Sequence, residues 1–292
     1  MRLVLSFSIL CGAGLMIGCA PDEVIPTEDI TTAGVRFIHA VPDTGALDFR
    51  PVDIVENTAF YGVSFRSNAQ VFYKNARSGE RNFKIFLTPD RNKSAAEQQQ
   101  MASTVVQDIN VTLEPGRLYT FILWGYARTG STPAMQLTVL EDNPSDPGSQ
   151  VALRIVNAGV GLGDIDGYQY ARGPDTGTSC PGGAPPPAAP TWASVPEMAA
   201  SSYITVDPGL KCYRVTLAGD VTELFTDALA LAGAPPNLVT GHQAIPGTTQ
   251  AGSAVTGFVL PPSVVGSQAP QTLTAPTILF FWDRRPPNQP GF

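Results

Sequence analysis

The chain has 292 residues, of which 43% are apolar and only 15% charged, with 28 Gly, 27 Pro and a net charge of −7. So many breakers exclude long uninterrupted helices, and a charged fraction this far below the usual quarter fits a turn-rich β-protein outside the cytoplasm. The acidic balance, with no basic run, excludes nucleic acid as a partner, because that affinity comes from Lys and Arg neutralising phosphates, and it leaves membrane attachment to one local device.

Met1 and Arg2 give a minimal positive start, and Leu3 to Ile17 form an apolar core shorter than the roughly 20 residues of a bilayer-crossing helix. This is the shape of a secretory signal over residues 1–18. Met16-Ile17-Gly18-Cys19 resembles a bacterial lipobox, in which a small residue precedes a cysteine that is lipidated and becomes the mature amino terminus. The resemblance implies a membrane anchor at Cys19 and an extracytoplasmic location, at the bacterial outer membrane or cell surface. An ordinary signal-peptidase site near Cys19 is the alternative. Residues 19–33 carry Pro21, Pro26 and the acidic Asp22, Glu23, Glu28 and Asp29 without any periodicity, and read as a flexible tether.

From Gly34 onward, β-branched and aromatic runs of strand length are bounded by Pro, Gly and Asp. Val35 to Ala40 precedes Pro42-Asp43-Thr44-Gly45; Asn82 to Leu87 ends at Pro89-Asp90; Leu118 to Trp124 ends at Gly125. Ala95 to Met101, "AAEQQQM", has the composition of one or two helical turns and reads as a polar loop insertion. The chain also resembles itself. "VRFIHAVPDTGALDF" from Val35 aligns without a gap on "LRIVNAGVGLGDIDG" from Leu153, pairing Arg36 with Arg154, Ala40 with Ala158, Gly45 with Gly163, Leu47 with Ile165 and Asp48 with Asp166. "LEPGRLYTFILWG" from Leu113 matches "VDPGLKCYRVTLAG" from Val206, each an acidic-Pro-Gly turn opening a strand. Two copies of one β-unit follow, residues 34–147 and 148–292, joined by a linker from Asp142 to Gly148.

"VRFIHAVPDTGALDF", "FYGVSF", "YKNARSGERNFKIFL" and "LEPGRLYTFILWG" together resemble the bacterial family called domain of unknown function 4397. The match covers about residues 34 to 140, while in the second copy Asn157 replaces His39 and the Pro-Asp turn is lost. The resemblance implies an exported, immunoglobulin-like β-sandwich, often carried on lipoproteins, and with the internal repeat the expected fold is all-β, two tandem sandwich units. It implies no activity.

In the second unit, Ala171 to Ala200 is rich in Pro, Gly and Ala and reads as an exposed insertion. With Cys11 removed and Cys19 lipidated, Cys180 and Cys212 remain, an even pair that reads as a disulfide pinning this insertion. Thr277 to Trp282 is a continuous apolar run suited to a closing strand buried on both faces. No metal or cofactor is expected: His39 and His242 are the only histidines, Cys-x-x-Cys is absent, and Asp164 with Asp166 suits turn stabilisation better than calcium. No nucleophile elbow occurs. Among three tryptophans, Trp124 and Trp282 sit in core-type strands, leaving Trp192 as the exposed candidate for stacking on a ligand. The expected function is therefore a non-catalytic envelope lipoprotein for binding, adhesion or scaffolding, with a protein or carbohydrate ligand. Two alternatives stand beside it: an envelope hydrolase using carboxylates, with or without calcium, and a carbohydrate-binding surface protein using Trp192.

Overall fold

The computed structural model describes residues 30–68, 72–172, 180, 187–237 and 239–287; the signal segment, Cys19 and most of the tether lie outside this range. The first half of the body contains β1 (Thr32–His39), β2 (Leu47–Pro51), β3 (Phe60–Val63), β4 (Lys74–Arg77), β5 (Gly79–Leu87), α1 (Ala95–Ser103), β6 (Val105–Leu113), β7 (Leu118–Trp124) and β8 (Gln136–Glu141). The second contains β9 (Val151–Asn157), β10 (Ile165–Ala171), β11 (Trp192–Val195), β12 (Ala199–Ala200), β13 (Ile204–Val206), β14 (Lys211–Leu217), β15 (Ala228–Leu229), β16 (Ala254–Leu260) and β17 (Thr277–Arg284). They build four sheets, β3-β2-β5-β6 and β4-β1-β7-β8, then β12-β9-β16-β17 with β13 also on β9, and β11-β10-β14-β15. The fold is an all-β sandwich, and both halves belong to one compact unit, Thr31–Phe292.

Strand pairing gives the correspondence between the halves. β1 runs parallel to β7, and β9 runs parallel to β16, within sheets otherwise antiparallel. By the same logic β2 and β5 match β10 and β14. The counterpart of β7 is therefore β16, and β14 answers to β5. The likeness of "LEPG" to "VDPG" is a correction to the sequence reading: both are turns that open a strand, but the strands are different ones. An acidic-Pro-Gly triplet encodes local turn geometry, which any hairpin can use.

The period-2 alternation of the central strands explains why they are buried on both faces. Val35, Phe37, Phe121 and Leu123 point into the first core, where Phe49 stacks between Phe37 and Phe83 at 5.0 and 4.9 Å. Leu153, Ile155, Val255 and Val259 point into the second. The alternate residues, Ile38, Ile122, Trp124, Val156, Phe258 and Phe281, form a third apolar layer between the two sandwiches. Each large side chain in that layer contributes about 1.5–3 kcal/mol by leaving water, so separating the halves is costly. β17 serves both layers, with Ile278 and Phe280 on one side and Leu279 and Phe281 on the other.

Two further expectations need correction. "AAEQQQM", read as a polar loop insertion with the composition of one or two helical turns, lies in the nine-residue helix α1: Ser94 and Glu97 form a reciprocal capping box ahead of Ala, Gln and Glu, all strong helix formers. The stretch 171–200 is not wholly an exposed insertion. Trp192–Val195 pairs with β10 as β11, Ala199–Ala200 pairs with β9, and Cys180 is disulfide-bonded to Cys212 on β14.

Candidate functional site

The apolar layer between the halves contains one polar island, assembled from matching positions of the two halves. Arg36 on β1 and Arg154 on β9 project outward from their own sandwiches, as their even register requires. Each Arg Nε donates to a threonine of its parallel partner strand, Arg36 to Thr120 at 2.9 Å and Arg154 to Thr256 at 2.8 Å. Each guanidinium then crosses to the other half: Arg36 Nη2 to Asp283 at 2.7 Å, and Arg154 Nη2 to Asp142. Thr120 donates to Asp142 and Thr256 to Asp283. Tyr73 closes one side, donating to Asp142 at 2.9 Å beneath the Arg36 guanidinium, which lies 4.5 Å from its ring. Tyr203 closes the other, donating to Asp283 at 2.8 Å with Arg154 4.4 Å from its ring. The contact is reciprocal, like an isologous dimer interface realised within one chain.

Arg36, Asp142 and Asp283 have no exposed surface at all. Burial alone would lower the Arg36 pKa, but Tyr73, Asp283 and Asp142 outweigh it and the net shift is upward, so the guanidinium stays charged. Burial, assisted by Asp283, holds the Asp142 carboxyl above its usual range despite Arg36 and Arg154. Burial likewise raises Tyr73 and Tyr203, which act as neutral donors.

Above this island the surface opens into a groove of about 550 Å³, with Tyr73, Asp142 and Asp283 at its floor and Thr32, Asn143 and Arg285 among its walls. A register shift where β17 meets β16 falls at Asp283, and the four residues from Trp282 to Arg285 all line the groove. Such a bulge redirects side chains that strict alternation would send to opposite faces.

The "HAVPD" segment is spent on internal contacts. Buried His39 bonds through Nε2 to the Gly45 carbonyl at 3.0 Å, and its Nδ1 accepts from the Val41 amide at 3.3 Å, so the imidazole is the neutral Nε2–H tautomer. Asp43 accepts from the amides of Ala127 and Arg128, and the Pro42 carbonyl accepts from Val264 in the other half. In the second half, Asn157 Nδ2 donates to the Gly163 carbonyl at 2.9 Å while its Oδ1 accepts from the Gly159 amide at 3.2 Å. Asn therefore reproduces both bonds of the histidine it replaces.

The other positions singled out from sequence fall as follows. Cys180 and Cys212 are bonded to each other. Asp166 accepts from the Ser194 and Gly219 amides, as Asp48 accepts from the Gly62 amide and Thr88, which makes both aspartates loop clamps. Trp192 is the clear correction. It is only 5% exposed, stacked on Tyr213 at 5.7 Å, with its indole N–H on the Ser202 carbonyl. The signal was Gly167: a Cβ there would stand 3.1 Å from the Trp192 ring, so the bare backbone of β10 makes room for the indole. Asp142, read as the first linker residue, is instead the buried anchor just past β8. "LEDNP" at 140–144 and "FWDRRP" at 281–286 share an Asp ahead of Pro at the end of a closing strand, which could have revealed Asp142 and Asp283 as a pair. Neither Cys19 nor its acylation falls within the described residues. Among those, no helix is long and apolar enough to cross a membrane, and no group of three or more His, Cys, Asp or Glu is placed to hold a metal ion.

Part of the chain matches a known family. Residues 33–168 fit the family described as Domain of unknown function (DUF4397), a span that begins at β1 and runs past the linker into β10. No curated protein matches the chain.

Proposed function

We propose, for a chain that carries a domain of the DUF4397 family over residues 33–168, the role of a non-catalytic binding or scaffolding module of the cell envelope, anchored at a membrane by acylation of Cys19. The observation that carries this reading is that the residues repeated between the halves are all consumed in holding the body together. Arg36, Arg154, Asp142 and Asp283 rivet the two sandwiches, while His39, Asn157, Asp48 and Asp166 fix their loops. What remains for recognition is the loops and the groove of a rigid scaffold, where binding residues ordinarily sit. The Cys180–Cys212 disulfide supports an oxidising compartment. A hydrolase built on Asp142 and Asp283 would need carboxylates that substrate can reach, and these two are enclosed with their oxygens occupied. Sugar stacking on Trp192 would need a ring face that the core already covers.

Replacing Cys19 by Ala should release the chain from membranes and abolish fatty-acid labelling; labelling that persists in the variant overturns the anchor. A panel of glycans and peptides, with and without EDTA, should give saturable binding and no turnover. Turnover of any of them refutes the non-catalytic reading.

A further inference from the structure

Three residues that line the groove carry hydrogen-bond donors without acceptors among the described residues. The indole Nε1 of Trp282 and the Nε of Arg284 are buried and have no partner, although Arg284 Nη2 pairs with Asp146 at 2.8 Å. Arg285, exposed beyond the end of β17, has no carboxylate partner among the described residues and lies over the Trp282 ring at 4.9 Å. Indole and guanidinium nitrogens only donate, so no tautomer or flip can satisfy them from within. Buried donors without partners are rare because they forfeit their hydration, and here both atoms are screened from bulk water. What the constellation lacks is an acceptor.

Charge narrows the class. At the floor, Asp142 and Asp283 are matched by Arg154 and Arg36, and at the rim Arg284 is matched by Asp146. Arg285 is the cation left over, in a chain whose net charge of −7 disfavours extended polyanions. A planar guanidinium with neighbouring N–H donors suits a compact oxyanion, and about 550 Å³ also accommodates the body of a small molecule carrying one. Arg285, exposed at the groove beside the Trp282 ring, is the cation open to an arriving anion.

We infer that the groove between the two halves binds a small ligand through a compact oxyanion, a carboxylate, phosphate or sulfate group, held by Trp282, Arg284 and Arg285. This deepens the binding-module reading and rests on it. The test uses the ¹⁵N-labelled full-length chain, with the Trp282 indole N–H resonance assigned from Trp282→Phe. Inorganic phosphate, sulfate and glucuronate are titrated in turn against chloride at matched ionic strength. At least one oxyanion should shift the Trp282 indole saturably while the Trp124 and Trp192 indoles stay in place, and the one that saturates at the lowest concentration names the group. Arg285→Gln, an exposed change that leaves the core untouched, should weaken that binding at least tenfold. An indole that responds to none of the three beyond chloride, or that responds with equal affinity in Arg285→Gln, overturns the inference. That failure stands apart from failure of the binding-module reading, which turnover of a substrate would decide.

Discussion

Replacing Arg36 by Met asks the most direct question of the buried island. The change keeps most of the side-chain volume but removes the guanidinium bonded to Asp283, which is left with the neutral hydrogen-bond partners Thr256, Tyr73 and Tyr203 and must share the charge of Arg154 with Asp142. Removing one member of a buried ion pair costs about 3–5 kcal/mol, because the other is left desolvated and uncompensated. For a unit of this size that corresponds to a fall of roughly 6–20 °C in the unfolding midpoint. The companion variant Arg36→Met/Asp283→Leu removes that carboxylate too and leaves the reciprocal Arg154–Asp142 pair intact. It should be more stable than Arg36→Met alone, by about 2 kcal/mol, since an apolar replacement of a whole pair is often near neutral. Urea unfolding followed by tryptophan fluorescence and by calorimetry measures both. An Arg36→Met cost under about 1 kcal/mol, or a double variant no more stable than the single, would show that the pair is not acting as a desolvated rivet.

Burial depresses the His39 pKa from 6.5 to about 4, against smaller opposing effects of the Gly45 bond and Asp43, so the folded protein keeps it neutral where the unfolded chain protonates it. Its contribution is full above pH 6.5 and is lost as pH falls towards 4, amounting to about 2 kcal/mol between pH 7.5 and pH 5. His39→Asn, which copies Asn157, should keep both loop bonds and flatten that part of the stability–pH curve; parallel wild-type and variant curves between pH 7.5 and 5 would contradict the assignment. Replacing both Cys180 and Cys212 by Ser opens a loop of 32 residues' separation, and the chain-entropy model gives a loss of about 3.5–4 kcal/mol. Urea midpoints that coincide with and without the bridge would show that it does not constrain the unfolded chain.

Much of the architecture can be read from residues alone, because strand-length runs between Pro, Gly and Asp encode local geometry. The gapless alignment of Val35–Phe49 on Leu153–Gly167 likewise pairs β1 with β9 and β2 with β10. What escaped depends on long-range packing. Arg36 and Arg154 were visibly matched, but their partners lie 247 and 12 residues away in sequence, and nothing local says that an arginine at the even register of a strand will be enclosed by a second sandwich. The same cause hid Trp192: its flanking Pro and Ala residues suggest exposure, whereas its burial is set by Gly167 on the neighbouring strand. Asn157 looked like the loss of a motif because residue identity, not bonding geometry, was compared. The groove could not be anticipated, since it exists only where the ends of β1 and β17 meet the segment after β8.

The direction of β1 has a mechanical consequence. The strand carries the start of the folded body at Thr31 and lies between antiparallel β4 and parallel β7, with Gly34 to His39 in register against Leu118 to Leu123. A pull applied at Thr31 along the strand axis therefore loads these bonds together, in shear, instead of peeling them one by one. A body fastened by that end and gripped by its far loops would resist extension collectively and give way in a single step.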